Sequence, residues 1–350
     1  MTLHRNRRMI AAIVALLFPA LACRAATRLI IPDTPTPIPS PTATFTPTLT
    51  PFPPATFTPT SLPEASCPVL TTNILTTALE FEFESNEDVD DEEYLVTYIV
   101  NGDAISSPFY EPVPEDLRDE QDDRARHDEI WNYFARLIPL EERDFLTAFA
   151  IITDGSGSIL GAVGQSSDDP GEWILEVDIV DSADHFVLTF TLLHEFAHLL
   201  TLNSSQVPPS TLIFDNPNSE SVYQSELAAC PYYFPGEGCS NPDSYVNRFF
   251  DRFWPHLFAE WQEIDSETDE DIYYDLLDDF YDTYQDQFLT DYSATSPAED
   301  IAESFAFFIL SPKPELTSIA NEKILFFYEH PELVELRRRI LNQLCVEFPQ

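Results

Sequence analysis

An α+β architecture is predicted by the order in which patterns run along the chain. Strand-like stretches come first, one mostly apolar helix follows them, and helical periodicity fills the remainder. The stretch "DFLTAFAIITDG" (144–155) is apolar and ends in the turn pair Asp154-Gly155, and "SILGAVGQ" (158–165) reads as its hairpin partner. "EWILEVDIV" (172–180) alternates, placing Trp173, Leu175, Val177 and Ile179 on one face. The expected fold is a small, mostly antiparallel sheet, then a central helix, then a mainly helical C-terminal lobe.

Earlier in the chain, "YLVTYIV" (94–100) is β-rich, and the acidic run before it reads as a solvated loop. "PEDLRDEQDDRARHDEIWNYFARLIP" (114–139) reads as one helix with an apolar face of Ile130, Trp131, Phe134 and Leu137. The central helix is expected to begin after an N-cap at Asp181 or Ser182. Beyond it, "SYVNRFFDRFWPHLFAEWQEI" (244–264) is helical and packs through aromatics. "DEDIYYDLLDDFYDTYQDQF" (269–288) sets Ile272, Leu276, Phe280, Tyr284 and Phe288 at every fourth residue, a core-facing stripe. Residues 296–310 and 331–344 complete the helical set.

The N-terminus has the form of an export signal. Arg5, Arg7 and Arg8 precede the apolar run "MIAAIVALLFPALA", which is short for a membrane span. Residues 1–22 are therefore expected to be removed. Ala22 followed by Cys23 allows two outcomes: lipidation of Cys23, or ordinary cleavage that leaves it unmodified. Residues 23–66 are dominated by Pro and Thr. Proline removes backbone donors and favours extended polyproline II, so this segment is a spacer rather than a core. The folded part then spans 67–350, with 67–140 either an N-terminal subdomain or a propeptide.

Charge and cysteine content agree with export. The 350 residues carry 17 Lys+Arg against 61 Asp+Glu, a formal net charge of -44. Such a field repels nucleic acid and anionic membranes, leaving a lipid on Cys23 as the expected membrane contact. The acid excess reads as solvation or as cation binding, for example of calcium. Setting Cys23 aside leaves Cys67, Cys230, Cys239 and Cys345. Pairing Cys230 with Cys239 closes the loop "CPYYFPGEGC", and pairing Cys67 with Cys345 ties the two ends together. The expected location is extracellular or on the cell surface.

The chemistry concentrates in "TFTLLHEFAHLLTL" (189–202). His194 and His198 are four apart, hence on one helical face, and can offer two imidazoles to one ion. Glu195 is next to the first of them and suits the role of a base acting on a water at the metal. The bland reading is an apolar helix that happens to hold two histidines. A third ligand must be distant, and "DYSATSPAEDIAESFAFF" (291–308) supplies Glu299 and Glu303, four apart on another helix. Either could bind the ion while the other orients a ligand histidine. Tyr292 lies seven residues before Glu299, in the approach to that helix, and its plain reading is a core tyrosine. Asp300 is expected to face solvent, and His127, His185, His256 and His330 lack partner spacing.

These two motifs together resemble the gluzincin metallopeptidases, and most closely the catalytic domain of anthrax lethal factor and its relatives. That family pairs H-E-x-x-H with a tyrosine, a glutamate seven residues later and a further acid four beyond. The resemblance implies a zincin-like fold and a zinc ion (Zn2+) on His194, His198 and Glu299. It implies Glu195 as general base, Tyr292 as donor to the oxyanion, and Glu303 as the carboxylate that orients His194. The sequence has Ser296 where the family usually has asparagine, and the gap between the motifs is long. The implied activity is a secreted or surface-anchored endopeptidase with peptide or protein substrates. The gluzincin aminopeptidases carry Gly-x-Met-x-Asn before the zinc helix, whereas the only methionines here are Met1 and Met9. The competing class is a non-catalytic surface protein that keeps the metal for stability.

Overall fold

The computed structural model describes residues 92–155, 157 and 159–348. The expected signal, Cys23, the Pro/Thr-rich spacer and Cys67, and with Cys67 its pairing to Cys345, lie outside the described residues. The described part is α+β: a five-stranded mixed sheet followed by helices.

The strands are β1 (Glu93–Asn101), β2 (Ala104–Tyr110), β3 (Leu146–Thr153), β4 (Gly161–Gln165) and β5 (Trp173–Asp178), in the spatial order β2-β1-β3-β5-β4. Between β2 and β3, the expected single helix is broken at Asp123 into α1 (Arg118–Asp122) and α2 (Arg124–Leu137). There the Asp123 side chain accepts from the Arg126 N–H and starts a new helix. The apolar face of α2 is as expected, with Ile130, Trp131, Phe134 and Leu137 all buried against the sheet residues.

The hairpin expected between 144–155 and 158–165 does not form. β5 inserts between the two segments, parallel to β3 (Ile151 opposite Val177), and β4 pairs antiparallel with β5 (Val163 opposite Leu175). The physical reason is burial. The alternating face of β5 (Trp173, Leu175, Val177) is nearly wholly excluded from water, which a central position satisfies and an edge would not. β4, short and glycine-containing, takes the edge instead. The other pairs, β1 with β2 and β1 with β3, are antiparallel, so parallel pairing is confined to β3–β5.

The helix that follows, α3 (His185–Leu202), starts three residues later than expected. Asp181–Ala183 form a 3-10 turn, and Asp184 is the N-cap, accepting from the N–H groups of Phe186 and Val187. Nearly every side chain of α3 is buried, because it lies between the sheet and the helical lobe. That lobe comprises α4 (Thr211–Asp215), α5 (Glu220–Ala229), α6 (Tyr245–Phe253), α7 (Phe258–Asp265), α8 (Glu270–Tyr284), α9 (Pro297–Leu310), α10 (Ile319–Phe327) and α11 (Pro331–Leu344). The 244–264 segment breaks around Pro255 into α6 and α7. In α8 the stripe is rotated from expectation. Ile272 and Leu276 are 47% and 38% exposed, while Leu277 and Phe280 are buried with Phe288 beyond the helix. The lobe is built on aromatic pairs that only the tertiary fold selects, so its buried face is not the one strict four-residue spacing marks. The loop 230–239 is closed by the Cys230–Cys239 disulfide, with Cα atoms 5.4 Å apart.

α9 packs against α3 and α10, and its first turn is fixed by charge. Asp300 is fully buried rather than solvent-facing. It pairs with Lys323 of α10 at 2.6 Å and accepts from Trp254 Nε1 at 2.8 Å. Both members of this pair are fully shielded from water, so removing one leaves an uncompensated interior charge. Lys323→Met is expected to cost about 3–5 kcal/mol, and Asp300→Asn/Lys323→Met is expected to recover part of that loss. Urea unfolding of the three proteins checks both statements.

A second buried acidic group sits where β3 and β5 end. Burial, then the charges of Asp178 and Asp154, push the Asp181 carboxyl up to about 7. Burial pushes Asp178 up to about 6 against the N–H groups that solvate it. Because both folded values exceed the ordinary 3.8, the native state binds more protons than the unfolded chain across this interval. Their stabilising contribution is complete below about pH 4 and is lost as pH rises through 6 to 7. In buffers without divalent cations, Asp181→Asn should raise the melting temperature at pH 8 and change it little at pH 4, as thermal scans at the two pH values will report.

Candidate metal centre

α3 and α9 pack side by side through Phe190 against Phe307 and Phe196 against Phe305, each pair with ring centroids 5.9 Å apart. This seats the α3 face that carries His194 and His198 opposite the α9 face that carries Glu299 and Glu303. Helical spacing aligns each pair, and the packing brings the pairs together. Ser296 caps α9 by accepting from the Glu299 N–H, and Pro297 occupies the first turn, so the backbone under Glu299 is fixed locally.

Three Lewis-base atoms converge. His194 Nε2 lies 2.9 Å from Glu299 Oε2, His198 Nε2 lies 3.2 Å from that oxygen, and the two Nε2 atoms are 3.1 Å apart. Donors on a tetrahedral zinc with bonds of about 2.0–2.1 Å would stand about 3.3–3.4 Å from one another. The observed triangle is that size to within a few tenths of an ångström. All three side chains are buried. Two imidazole nitrogens and a carboxylate oxygen at such distances, away from water, need a cation or proton among them. The group is therefore suited to a metal ion, and two nitrogens with one oxygen suit zinc among several transition metals.

The surrounding shell favours that use. His194 Nδ1 is 2.9 Å from Glu303 Oε1, so Nδ1 carries the proton and donates, leaving the Nε2 lone pair for an ion. Glu303 is held in turn by Thr290, whose hydroxyl donates to Oε2 at 2.8 Å and also meets Ser293 Oγ at 2.9 Å. The geometry thus places Glu299 with both histidines and Glu303 with His194 alone. Thr290 and Ser293 escaped sequence reasoning, since a hydroxyl that only supports a carboxylate has no spacing signature.

Glu195 is 1% exposed, and neither carboxylate oxygen has a hydrogen-bond partner among the described residues. Burial pushes its carboxyl up, and the histidine charges partly oppose this. Tyr292 lies in a 3-10 turn (Tyr292–Ala294) with its ring 5.7 Å from that of His194. Burial and the negative charges of Glu299, Glu195 and Glu303 hold its phenol well above 10, so it stays protonated and able to donate. For Glu299, burial opposes ionisation, but His198 and His194 outweigh it and hold the carboxyl below its usual range.

The edge strand closes one side. A Cβ on Gly161 would lie 2.9 Å from Thr191 Cγ2, 3.0 Å from the Glu176 carbonyl and 3.7 Å from Glu195 Cγ. Only glycine lets β4 pass this close to α3, so the first residue of the edge strand sits beside Glu195. The other histidines lie away from the triangle. His127 bonds Tyr98 and the Glu120 carbonyl, and His256 bonds Gln287.

No family model matches the chain, and comparisons with curated proteins and with solved structures find no match either. The site is thus defined by its own geometry. Glu303→Ala should weaken metal binding about 10–100-fold while leaving one site per chain, and Glu299→Ala should strip most of the metal. Competition titration with a chromophoric chelator measures both. Full metal retention in Glu299→Ala with loss in Glu303→Ala would reverse the two roles.

Proposed function

We propose that this chain is an exported, zinc-dependent endopeptidase. The observation that carries the reading is the company the metal triangle keeps. A buried carboxylate without a partner among the described residues, Glu195, and a protonated phenol, Tyr292, flank the same three ligands. Holding an ion for stability requires neither group. The Cys230–Cys239 disulfide is consistent with an oxidising, extracellular setting, and the N-terminal signal and spacer pattern supports export.

His194, His198 and Glu299 would hold the ion. When bound, a zinc ion supplies Lewis acidity toward water and toward a carbonyl oxygen. The protein's own groups supply the remaining chemistry. Glu195 takes a proton from the attacking water and returns it to the departing amine nitrogen as the C–N bond breaks, so it ends each cycle ionised as it began. Its burial raises its proton affinity, which strengthens it as a base. The Tyr292 hydroxyl donates to the oxygen on which negative charge develops. Glu303 keeps the His194 proton on Nδ1 throughout.

A peptide substrate can be aligned by β4. Among the described residues that strand pairs on one side only, with β5, and its Gly161 end sits beside Glu195. An extended peptide adding to the open side would gain main-chain hydrogen bonds and present its backbone to the base.

Glu195→Gln should keep zinc and stability yet lose about two to four powers of ten in peptide hydrolysis, because an amide cannot accept the proton. Tyr292→Phe should lose about two to three powers of ten with zinc retained. Turnover of a mixed peptide library at matched zinc occupancy measures these losses. Cleavage by Glu195→Gln equal to wild type would rule out the mechanism and favour a structural metal in a non-catalytic surface protein.

A further inference from the structure

A second carboxylate group lies apart from the zinc ligands. Asp154 follows β3, Asp178 ends β5, and Asp181 opens the 3-10 turn that leads into α3. One oxygen from each lies within 4.8 Å of the others. Two oxygens on one calcium can be at most about 5 Å apart, twice the bond length of about 2.3–2.6 Å, and this group meets that limit.

The acids are not merely adjacent. Asp178 is 0% exposed and its two oxygens are occupied by backbone N–H groups of Val180, Asp181 and Asp154. That fixes Asp178 as the anchor of the group. Asp154 is 4% exposed. Its Oδ2 accepts from the Ile159 N–H at 2.9 Å, but among the described residues its buried Oδ1 has no partner. Asp181 Oδ2 is likewise buried without a partner among them. No Lys, Arg or His forms an ion pair with these three among the described residues. Arg126, which reaches the same turn, is committed to Ser182 and Glu129. Glu92, just before β1, adds further negative charge toward Asp154 and Asp178. Buried carboxylates that solvate neither each other nor a cation are expensive to keep.

We propose that Asp154, Asp178 and Asp181 form a binding site for one calcium ion that fastens the ends of β3 and β5 to the start of α3. Only oxygens are offered, which excludes the nitrogen and sulfur preference of zinc and selects a hard cation. Three protein carboxylates leave room for waters in a six- to eight-fold shell, whereas magnesium demands stricter octahedral geometry. The ion sits beside Asp184, the N-cap of α3, and His194 follows less than three turns later on that helix. Calcium thus steadies the helix that carries the proposed zinc ligands without touching them. This inference is independent of the hydrolytic reading, since calcium binding is measured without any cleavage.

The test is isothermal titration of calcium chloride into the full chain, zinc-loaded and stripped of calcium, with thermal scans alongside. The expected result is one calcium per chain with Kd of about 10⁻⁴–10⁻³ M, a melting temperature that climbs with calcium, and magnesium binding at least about tenfold weaker. Asp154→Asn/Asp181→Asn should lose both the heat and the thermal shift, keep its zinc, and melt without calcium at or above wild type, because repulsion is relieved. The milder Asp181→Asn should bind about tenfold more weakly. Absence of calcium binding by wild type at 10 mM (roughly ten times the weakest Kd expected) would overturn the site. So would a double variant that binds as tightly as wild type, or magnesium binding equal to calcium.

Discussion

Two imidazole nitrogens and one carboxylate oxygen meet within 3.2 Å in the interior, where α3 faces α9. Such a cluster repels itself unless a cation or proton lies among its members, and burial forbids water from relieving it. The structure around it is arranged to hold the two helices in register against that cost. Phenylalanine pairs set their separation, Ser296 and Pro297 begin α9 at the right residue, and the Asp300–Lys323 pair binds that first turn to α10. Placing Asp300 inside, one residue from Glu299, makes the backbone at the ligand rigid by electrostatics as well as by packing.

Charge is handled differently in the interior and at the surface. Among the described residues most acids face solvent, and the excess of 61 Asp+Glu over 17 Lys+Arg keeps the protein strongly anionic. The few that are buried are individually placed. Glu299 is matched by histidines, Glu303 by His194 and Thr290, and Asp300 by Lys323 and Trp254. Among the described residues, Glu195 and the Asp154–Asp178–Asp181 group hold buried carboxylate oxygens with neither a hydrogen-bond partner nor an ion pair, a setting that suits a proton, an ion or a reacting molecule.

Topology connects the two. β5 occupies the interior of the sheet and ends at Asp178, and the turn after it delivers the chain to Asp184 and so into α3. The same insertion displaces β4 to the edge, where Gly161 lies against Thr191 and Glu195. One strand order therefore sets both the anchoring of α3 at its start and, among the described residues, the sheet edge beside its middle. Residues 93–137 belong to this arrangement as well, since β1 lies between β2 and β3 and α2 covers the sheet.

The sequence by itself determined the features that depend on local periodicity. Four-residue spacing put His194 with His198 and Glu299 with Glu303 on common helical faces, and alternation marked the buried face of β5. The strands-then-helices order was enough for the α+β class. What depends on contacts between distant segments was decided only by the tertiary structure. Strand pairing is such a case, since alternation says which residues are buried and not which strand lies beside them, and a hairpin expected from proximity gave way to a parallel neighbour. The inward turn of Asp300 is another, because a lone acid reads as solvated until Lys323 arrives from a different helix. Thr290, Gly161 and the trio Asp154, Asp178 and Asp181 carry no spacing signal at all, for their meaning lies in partners that the chain reaches only after it has folded.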